Sequence, residues 1–221
     1  MSKKLKILIA DDHQLIIDGI IASLDEIGSF EIVSVTNCDA AFLKLKQENF
    51  DILFTDLSFD DDTISTKIDG GENLIKAIQK EEISVKIAVI TGHSETNRIY
   101  NVIQNLKPSA YLLKTKCNAT ELNFAIQKIM ANDFYYTHEV HQKMMKRACV
   151  NIQMDEVAIQ ILKELPNQAK INNLEGIIKK EDGSLLKLRT IENKLANLRI
   201  DLNAVNNTDL VIKAKELGII D

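Results

Sequence analysis

Through the first 130 or so residues, short apolar runs alternate with stretches whose apolar positions recur every three or four residues. The runs LKILIA (5–10), FEIVSVT (30–36), DILFTD (51–56), KIAVIT (86–91) and AYLLK (110–114) read as buried strands. Between them, 14–27, 38–49, 71–82, 95–105 and 119–132 read as helices; in the last, Leu122, Ala125, Ile126 and Ile129 share one face. Five strand–helix units in succession predict an α/β flavodoxin-like (βα)5 domain. Its five-stranded parallel sheet is covered on both faces by right-handed crossovers.

Past residue 133 the alternation stops. Residues 133–153 hold neither Pro nor Gly and predict a helical or partly extended connector. Four apolar-periodic stretches follow, 155–165, 171–180, 185–202 and 207–218, punctuated by Pro166 and Gly183. They predict a compact four-helix unit, with Asn206-Asn207-Thr208 offering a cap for the last helix. The boundaries are therefore 1–132, 133–153 and 154–221.

Composition changes this picture little. With 45% hydrophobic and 27% charged residues, the chain is ordinary for a globular protein. No apolar run approaches bilayer-spanning length, and MSKKLK lacks the apolar core of a secretion signal, so the expected location is the cytoplasm. Cys38, Cys117 and Cys149 show no metal-ligand spacing, and their odd number argues against a disulfide framework. A net charge of -5 does not mark the whole molecule as a nucleic-acid binder.

The ends of the strands carry the chemistry. In open parallel sheets a ligand binds beyond the carboxyl ends of the strands. Strand one ends in Asp11 and Asp12, strand three in Asp56, strand four in Thr91-Gly92 and strand five in Lys114. Clustered carboxylates form a hard oxygen site suited to Mg²⁺. With a lysine and a hydroxyl to receive phosphoryl oxygens, one of them can act as a phosphoryl acceptor. Each residue alone has a bland explanation as a turn or strand end; their joint placement does not. A small-molecule enzyme on the same sheet would need a Gly-rich phosphate loop after strand one, where ADDHQ instead repels anions.

On those positions, residues 5–132 resemble the receiver domain of two-component response regulators. The resemblance implies phosphorylation of Asp56 by a sensor histidine kinase or phosphotransfer protein, with self-catalysed phosphoryl uptake and loss as the only enzymology. It implies Mg²⁺ held directly by Asp12, Asp56 and the Ser58 main-chain carbonyl, with Asp11 acting through water. Thr91, Gly92 and Lys114 would receive the phosphoryl group, and Tyr111 matches the family's aromatic switch, which turns inward after phosphorylation. His13 and His93, with no cysteine or second histidine at ligand spacing, read as helix-start residues or as positions the family fills without a set role. One departure stands out: after Asp56 the family's Pro position is Asp60, and the glycines wait until Gly70 and Gly71. The 58–70 loop is longer by roughly six residues and gains Asp60, Asp61 and Asp62.

The stretch LKLRTIENKLANLRIDLNAVNNTDLVIKAKELGII is similar to the end of the NarL/LuxR-type helix-turn-helix domain, through Thr190, Ile191, Asn193, Asn197, Leu198, Leu202, Asn207 and Thr208. Lys194 replaces the family's histidine and Asp201 its usual lysine. Leu188, Ile191, Leu195, Leu198 and Leu202 form one stripe, with Arg189, Thr190, Asn193, Ala196 and Asn197 opposite. Arginine and asparagine suit base edges in a major groove, so Lys187, Arg189, Thr190, Asn193, Lys194, Asn197 and Arg199 are the candidate DNA contacts. Residues 155–221 carry 10 Lys+Arg against 11 Asp+Glu, and only 183–199 is locally basic. Two weak half-sites add in a dimer, so the reading is a response regulator that dimerises on phosphorylation and binds DNA. The alternative is a receiver whose degenerate helical domain binds protein partners or itself.

Overall fold

The computed structural model describes residues 4–59, 67–180 and 182–220, and leaves aside the side chains of 149–153. Asp60, Asp61 and Asp62 of the acidic loop lie outside the described residues. The chain divides into two compact units, Met1–Ser94 with Asn101–His141, and Glu95–Tyr100 with Gln142–Asp221.

In the first unit, β1 (Lys6–Ala10), β2 (Glu31–Val35), β3 (Ile52–Thr55) and β4 (Lys86–Thr91) are joined by α1 (Gln14–Ile27), α2 (Cys38–Gln47) and α3 (Gly70–Lys80), and α4 (Thr96–Leu106), whose residues up to Tyr100 group with the second unit, leads from β4 to β5 (Ala110–Leu113). After α5 (Ala119–Met130) comes β6 (Tyr135–Tyr136). All pairs are parallel in the order β2-β1-β3-β4-β5-β6. The expected five-stranded sheet therefore has a sixth, edge strand. Two residues cannot display an alternating pattern; only the pairing of Tyr135 N–H with the Ser109 carbonyl and Thr137 N–H with the Tyr111 carbonyl reveals it.

Period-two alternation sorts each central strand between two faces. Ile9, Phe54, Ala88 and Ala110 lie in register across the sheet and pack with Ile17, Ile20 and Leu24 of α1 and Leu122, Ala125 and Ile129 of α5. The neighbouring row Ala10, Thr55, Val89 and Tyr111 faces the other way. Burial on both faces is why these strands read as unbroken apolar runs. The strand order reverses between β1 and β3, which sets the binding crevice beyond their carboxyl ends.

Connector residues 138–153 form α6 (His138–Gln153). In the second unit α7 (Glu156–Glu164), α8 (Leu188–Asp201) and α9 (Asn207–Glu216) surround Ile161, Leu162, Leu174, Ile178, Ile191, Leu195, Leu198 and Leu210. The expected helix over 171–180 is instead a 3-10 segment, Ile171–Gly176, leading into a short antiparallel bridge between Lys179 and Leu185. Ile171, Leu174 and Ile178 mimic helical spacing, but Asn172, Asn173 and Gly176 are poor helix residues. Gly183, at φ 79°, turns the chain back, and Leu186 N–H then bonds the Ile178 carbonyl at 2.8 Å. Three α-helices with a hairpin thus replace the expected four. Among the described residues no helix is long and apolar enough to cross a membrane. Cys38 and Cys117 are free, and burial pushes both thiols up to about 12.

Candidate acidic site at the strand ends

Adjacent strands deliver the predicted residues to one rim. Asp11 and Asp12 follow β1, Asp56 follows β3, Thr91 closes β4, and Lys114 opens a 3-10 turn directly after β5. The Lys114 ammonium lies 2.7 Å from Asp11 Oδ2 and 2.8 Å from Asp56 Oδ2. Asp11 also accepts the His13 N–H at 3.0 Å, and Asp56 Oδ1 accepts the Leu57 N–H at 2.6 Å. Both carboxylates are nearly sequestered, at 2% and 6% exposure.

Burial is the largest influence on Asp11 and pushes its carboxyl above the ordinary range; Lys114 and the His13 amide only partly offset it. Burial also works against the Lys114 ammonium, but the hydrogen bonds and charges of Asp11 and Asp56 together outweigh it, so that pKa rises. The two directions conflict for one ion pair. The Lys114 direction follows from an ammonium held between two carboxylates, whereas Asp11 shares that ammonium with Asp56 and is the more deeply buried partner.

The donor set fits a hard divalent cation. Asp11 and Asp56 hold one ammonium and Asp12 offers a carboxylate beside Asp11, an excess of two negative charges that a dication balances. Ligand atoms of Asp11, Asp12 and His13 all lie within 4.8 Å of one another. His13 starts α1 with its backbone carbonyl, as expected for a helix-start residue, and its Nδ1 also lies 2.7 Å from Asp12 Oδ1.

The long loop after Asp56 leaves the acceptor strand end tightly packed. Gly70 takes φ 77°, and Gly71 donates its N–H to the Leu57 carbonyl at 2.9 Å. A Cβ on Gly71 would fall 1.8 Å from the Asp56 carbonyl oxygen. The delayed glycines thus begin α3 directly against the acceptor's backbone. Across the rim a Cβ on Gly92 would meet nothing within 4 Å, so the space beside Thr91 is open.

Tyr111 is fully buried, its hydroxyl donating to the His93 carbonyl at 3.1 Å, so the aromatic ring is already inward. Ser58 is half-buried, and its hydroxyl lies 2.7 Å from His93 Nε2. By resemblance Ser58 has a role only through its main-chain carbonyl, and His93 has none. No spacing signal could have paired two residues 35 apart; adjacency of β3 and β4 pairs them.

In the second unit the candidate contacts fall into two groups. Arg189, Thr190 and Asn193 lie exposed in the first half of α8, and Lys187 precedes it, also exposed. Ile191, Leu195, Leu198 and Leu202 are buried, while Leu188 is only half-buried. Lys194 is bound to the Asp155 carboxylate, and Arg199 donates to Asn207 Oδ1 at 2.8 Å. Asn197 is exposed but shares a cleft of about 150 Å³ with Asp155 and Asp201. Lys187 and Arg189 make none of these ties, although the Glu175 carboxylate accepts the Leu188 N–H between them at 3.1 Å and Glu192 is exposed one turn on.

The sequence profile of the response regulator receiver domain matches residues 7–127. The chain is 25% identical over 219 residues to the response regulator protein VraR of Staphylococcus saprophyticus, covering 98% of this chain and 99% of that protein. VraR of Staphylococcus aureus is 24% identical over the same span. Among solved structures, RcsB dimers bound to two parallel DNAs share the fold, with a TM-score of 0.66 at 21% identity over 97% of this chain and 99% of that one. The isolated receiver domain of RcsB from Salmonella enterica serovar Typhimurium, in the presence of a phosphomimetic, has a TM-score of 0.54 at 25% identity, covering 63% of this chain and 98% of that one. With more than half its length matched by that profile, the chain belongs to the response regulator receiver family.

Proposed function

We propose that the chain is a cytoplasmic two-component response regulator in which phosphorylation of Asp56 controls dimerisation and DNA binding by the second unit. The observation that carries this reading is the Lys114 ammonium held between Asp11 and Asp56 at the carboxyl edge of the sheet. A carboxylate oxygen of Asp56 attacks a phosphoryl group presented by a histidine kinase or phosphotransfer protein; the O–P bond forms as the donor N–P bond breaks. Lys114 then has a phosphoryl oxygen to neutralise, and Thr91, fully buried at the end of β4, can supply a hydroxyl donor to another. Gly92 leaves room for those oxygens. A Mg²⁺ held by Asp12, Asp56 and the Ser58 main-chain carbonyl, with Asp11 through water, would screen phosphoryl charge.

DNA as the output is supported by the exposed cluster Lys187, Arg189, Thr190 and Asn193 on or beside one helix. It is also supported by full-length likeness to RcsB, whose structures include DNA complexes. The rival output, self-association or protein binding by the second unit, is favoured by the exposure of Ile200 at 76% and Val205 at 84%.

The acceptor assignment is tested by intact mass after incubation with Mg²⁺ and a small phosphodonor. The parent chain gains one phosphoryl group and Asp56→Asn gains none. Equal uptake in the two would overturn the assignment.

A further inference from the structure

His13 occupies the N-cap of α1, a position that favours Ser, Thr, Asp or Asn, whose short side chains accept from the first free N–H groups. The His13 side chain makes no such bond. Only its backbone carbonyl starts the helix, accepting the Ile16 and Ile17 N–H groups at 2.9 and 3.2 Å. The imidazole goes to the acidic pair instead, with Nδ1 2.7 Å from Asp12 Oδ1 and 3.5 Å from Asp11 Oδ1. A carboxylate only accepts, so Nδ1 carries the proton and donates to Asp12. The His13 side chain is 62% exposed against 8% for Asp12. A contact so open to water adds little to fold stability, and α1 does not use it. What it fixes is the plane of the Asp12 carboxylate.

We propose that His13 is a positioning residue for the divalent cation: its imidazole holds the Asp12 carboxylate in the orientation that meets Mg²⁺. This rests on the cation reading above. A carboxylate that swings about its Cβ–Cγ bond loses that freedom when it becomes a metal ligand. A hydrogen bond made beforehand removes part of the loss, as outer partners of metal ligands do. The same residue reaches both acids of the site, because its N–H holds Asp11 Oδ1 at 3.0 Å while its ring holds Asp12. One residue thus keeps in place two like charges that repel each other. Two other roles predict different outcomes. An imidazole that ligated the cation through nitrogen would favour Mn²⁺ over Mg²⁺, which takes oxygen ligands. One that only added positive charge nearby would weaken the binding of every dication.

The test titrates Mg²⁺, and separately Mn²⁺, into the metal-free full chain by calorimetry, with no phosphodonor present. His13→Ala should weaken both ions alike by about 10-fold, the low end of what groups holding a metal ligand contribute, because this one is exposed. His13→Asn, whose amide N–H can stand in for Nδ1–H, should recover most of the loss; a merely structural loss of bulk would not be rescued. Without metal, both variants should melt with the parent, since the start of α1 depends on the His13 backbone alone. Affinity unchanged or raised in His13→Ala, a loss confined to Mn²⁺, or no recovery in His13→Asn overturns the positioning role and leaves the cation reading intact. Metal-free His13→Ala melting well below the parent does the same, by making the loss structural. A parent that binds neither ion overturns both readings.

Discussion

Each unit contains a lysine–aspartate pair, and the two pairs have opposite meanings. Lys114, with its side chain 16% exposed, is held between two nearly buried carboxylates. Lys194, at 29%, reaches an Asp155 whose side chain is 57% exposed. Desolvating charges is costly, and a fold seeking only stability does as well with apolar residues in their place. The first arrangement therefore points to chemistry that needs it. The second is an ordinary tie between α7 and α8, of the kind worth little because water already solvates both partners. What separates function from packing here is the position of a pair at the end of parallel strands or on the flank of a helix.

Backbone packing separates the two units most forcefully. At Gly71 an added methyl would lie 1.8 Å from the Asp56 carbonyl oxygen, whereas at Gly176 in the second unit it would meet nothing within 4 Å. Gly71→Ala should therefore cost about 3 kcal/mol in chemical denaturation, as overpacked sites do. It should also slow phosphoryl uptake, because the backbone forced to shift is that of the acceptor. Gly176→Ala should stay within about 0.5 kcal/mol of the parent with unchanged uptake. Equal effects at the two glycines would show that α3 does not brace Asp56.

That contrast also explains what could be read from the sequence. Asp11, Asp56, Thr91 and Lys114 were legible because a parallel sheet sends each strand end to one rim, so local patterns add up to a site. The Ser58–His93 contact was not, since it depends on how two loops bend after leaving their strands. β6 was hidden by its length, and the 171–180 region by apolar spacing that a 3-10 turn and a hairpin satisfy as well as a helix. On α8 the buried stripe was legible from periodicity. The partners that Lys194 and Arg199 find in Asp155 and Asn207 come from other segments and could not be foreseen.

Those partners sharpen the output prediction. Arg189→Ala and Asn193→Ala, on the exposed first half of α8, should each cost about 1–3 kcal/mol at a selected DNA site. Lys187→Ala should weaken binding to all sequences and flatten the salt dependence, as a phosphate contact does. Lys194→Ala and Arg199→Ala should matter less for DNA, because each side chain is already engaged within the unit. Anisotropy titrations with the phosphorylated chain decide it. If no sequence binds better than random DNA at physiological salt, the exposed apolar residues Ile200 and Val205 become the better guide, and self-association is the output.

The smallest effect expected belongs to the exposed pair. Asp155 caps α7, its Oδ1 accepting the Ala158 N–H at 2.8 Å, while its other oxygen holds Lys194. Lys194 is the main cause, and the cap a lesser one, of a carboxyl held below its ordinary value. A depressed pKa means that the folded unit prefers the charged form. The stabilisation is therefore complete above about pH 4, the unfolded value, and disappears as pH falls through the lower folded value. Asp155→Ala should cost about 1 kcal/mol at neutral pH, mostly through the lost cap. Asp155→Asn keeps a cap acceptor and should cost less, since an exposed pair contributes only about 0.2–1 kcal/mol. Amide exchange across 156–164 in the full chain, compared at pH 7 and at pH 3, measures both. The parent should lose protection on acidification by more than Asp155→Asn does, because the variant has no charge at 155 to lose. If both lose it equally, the pair with Lys194 does not hold α7 to α8, and Lys194 returns to the set of side chains available to DNA.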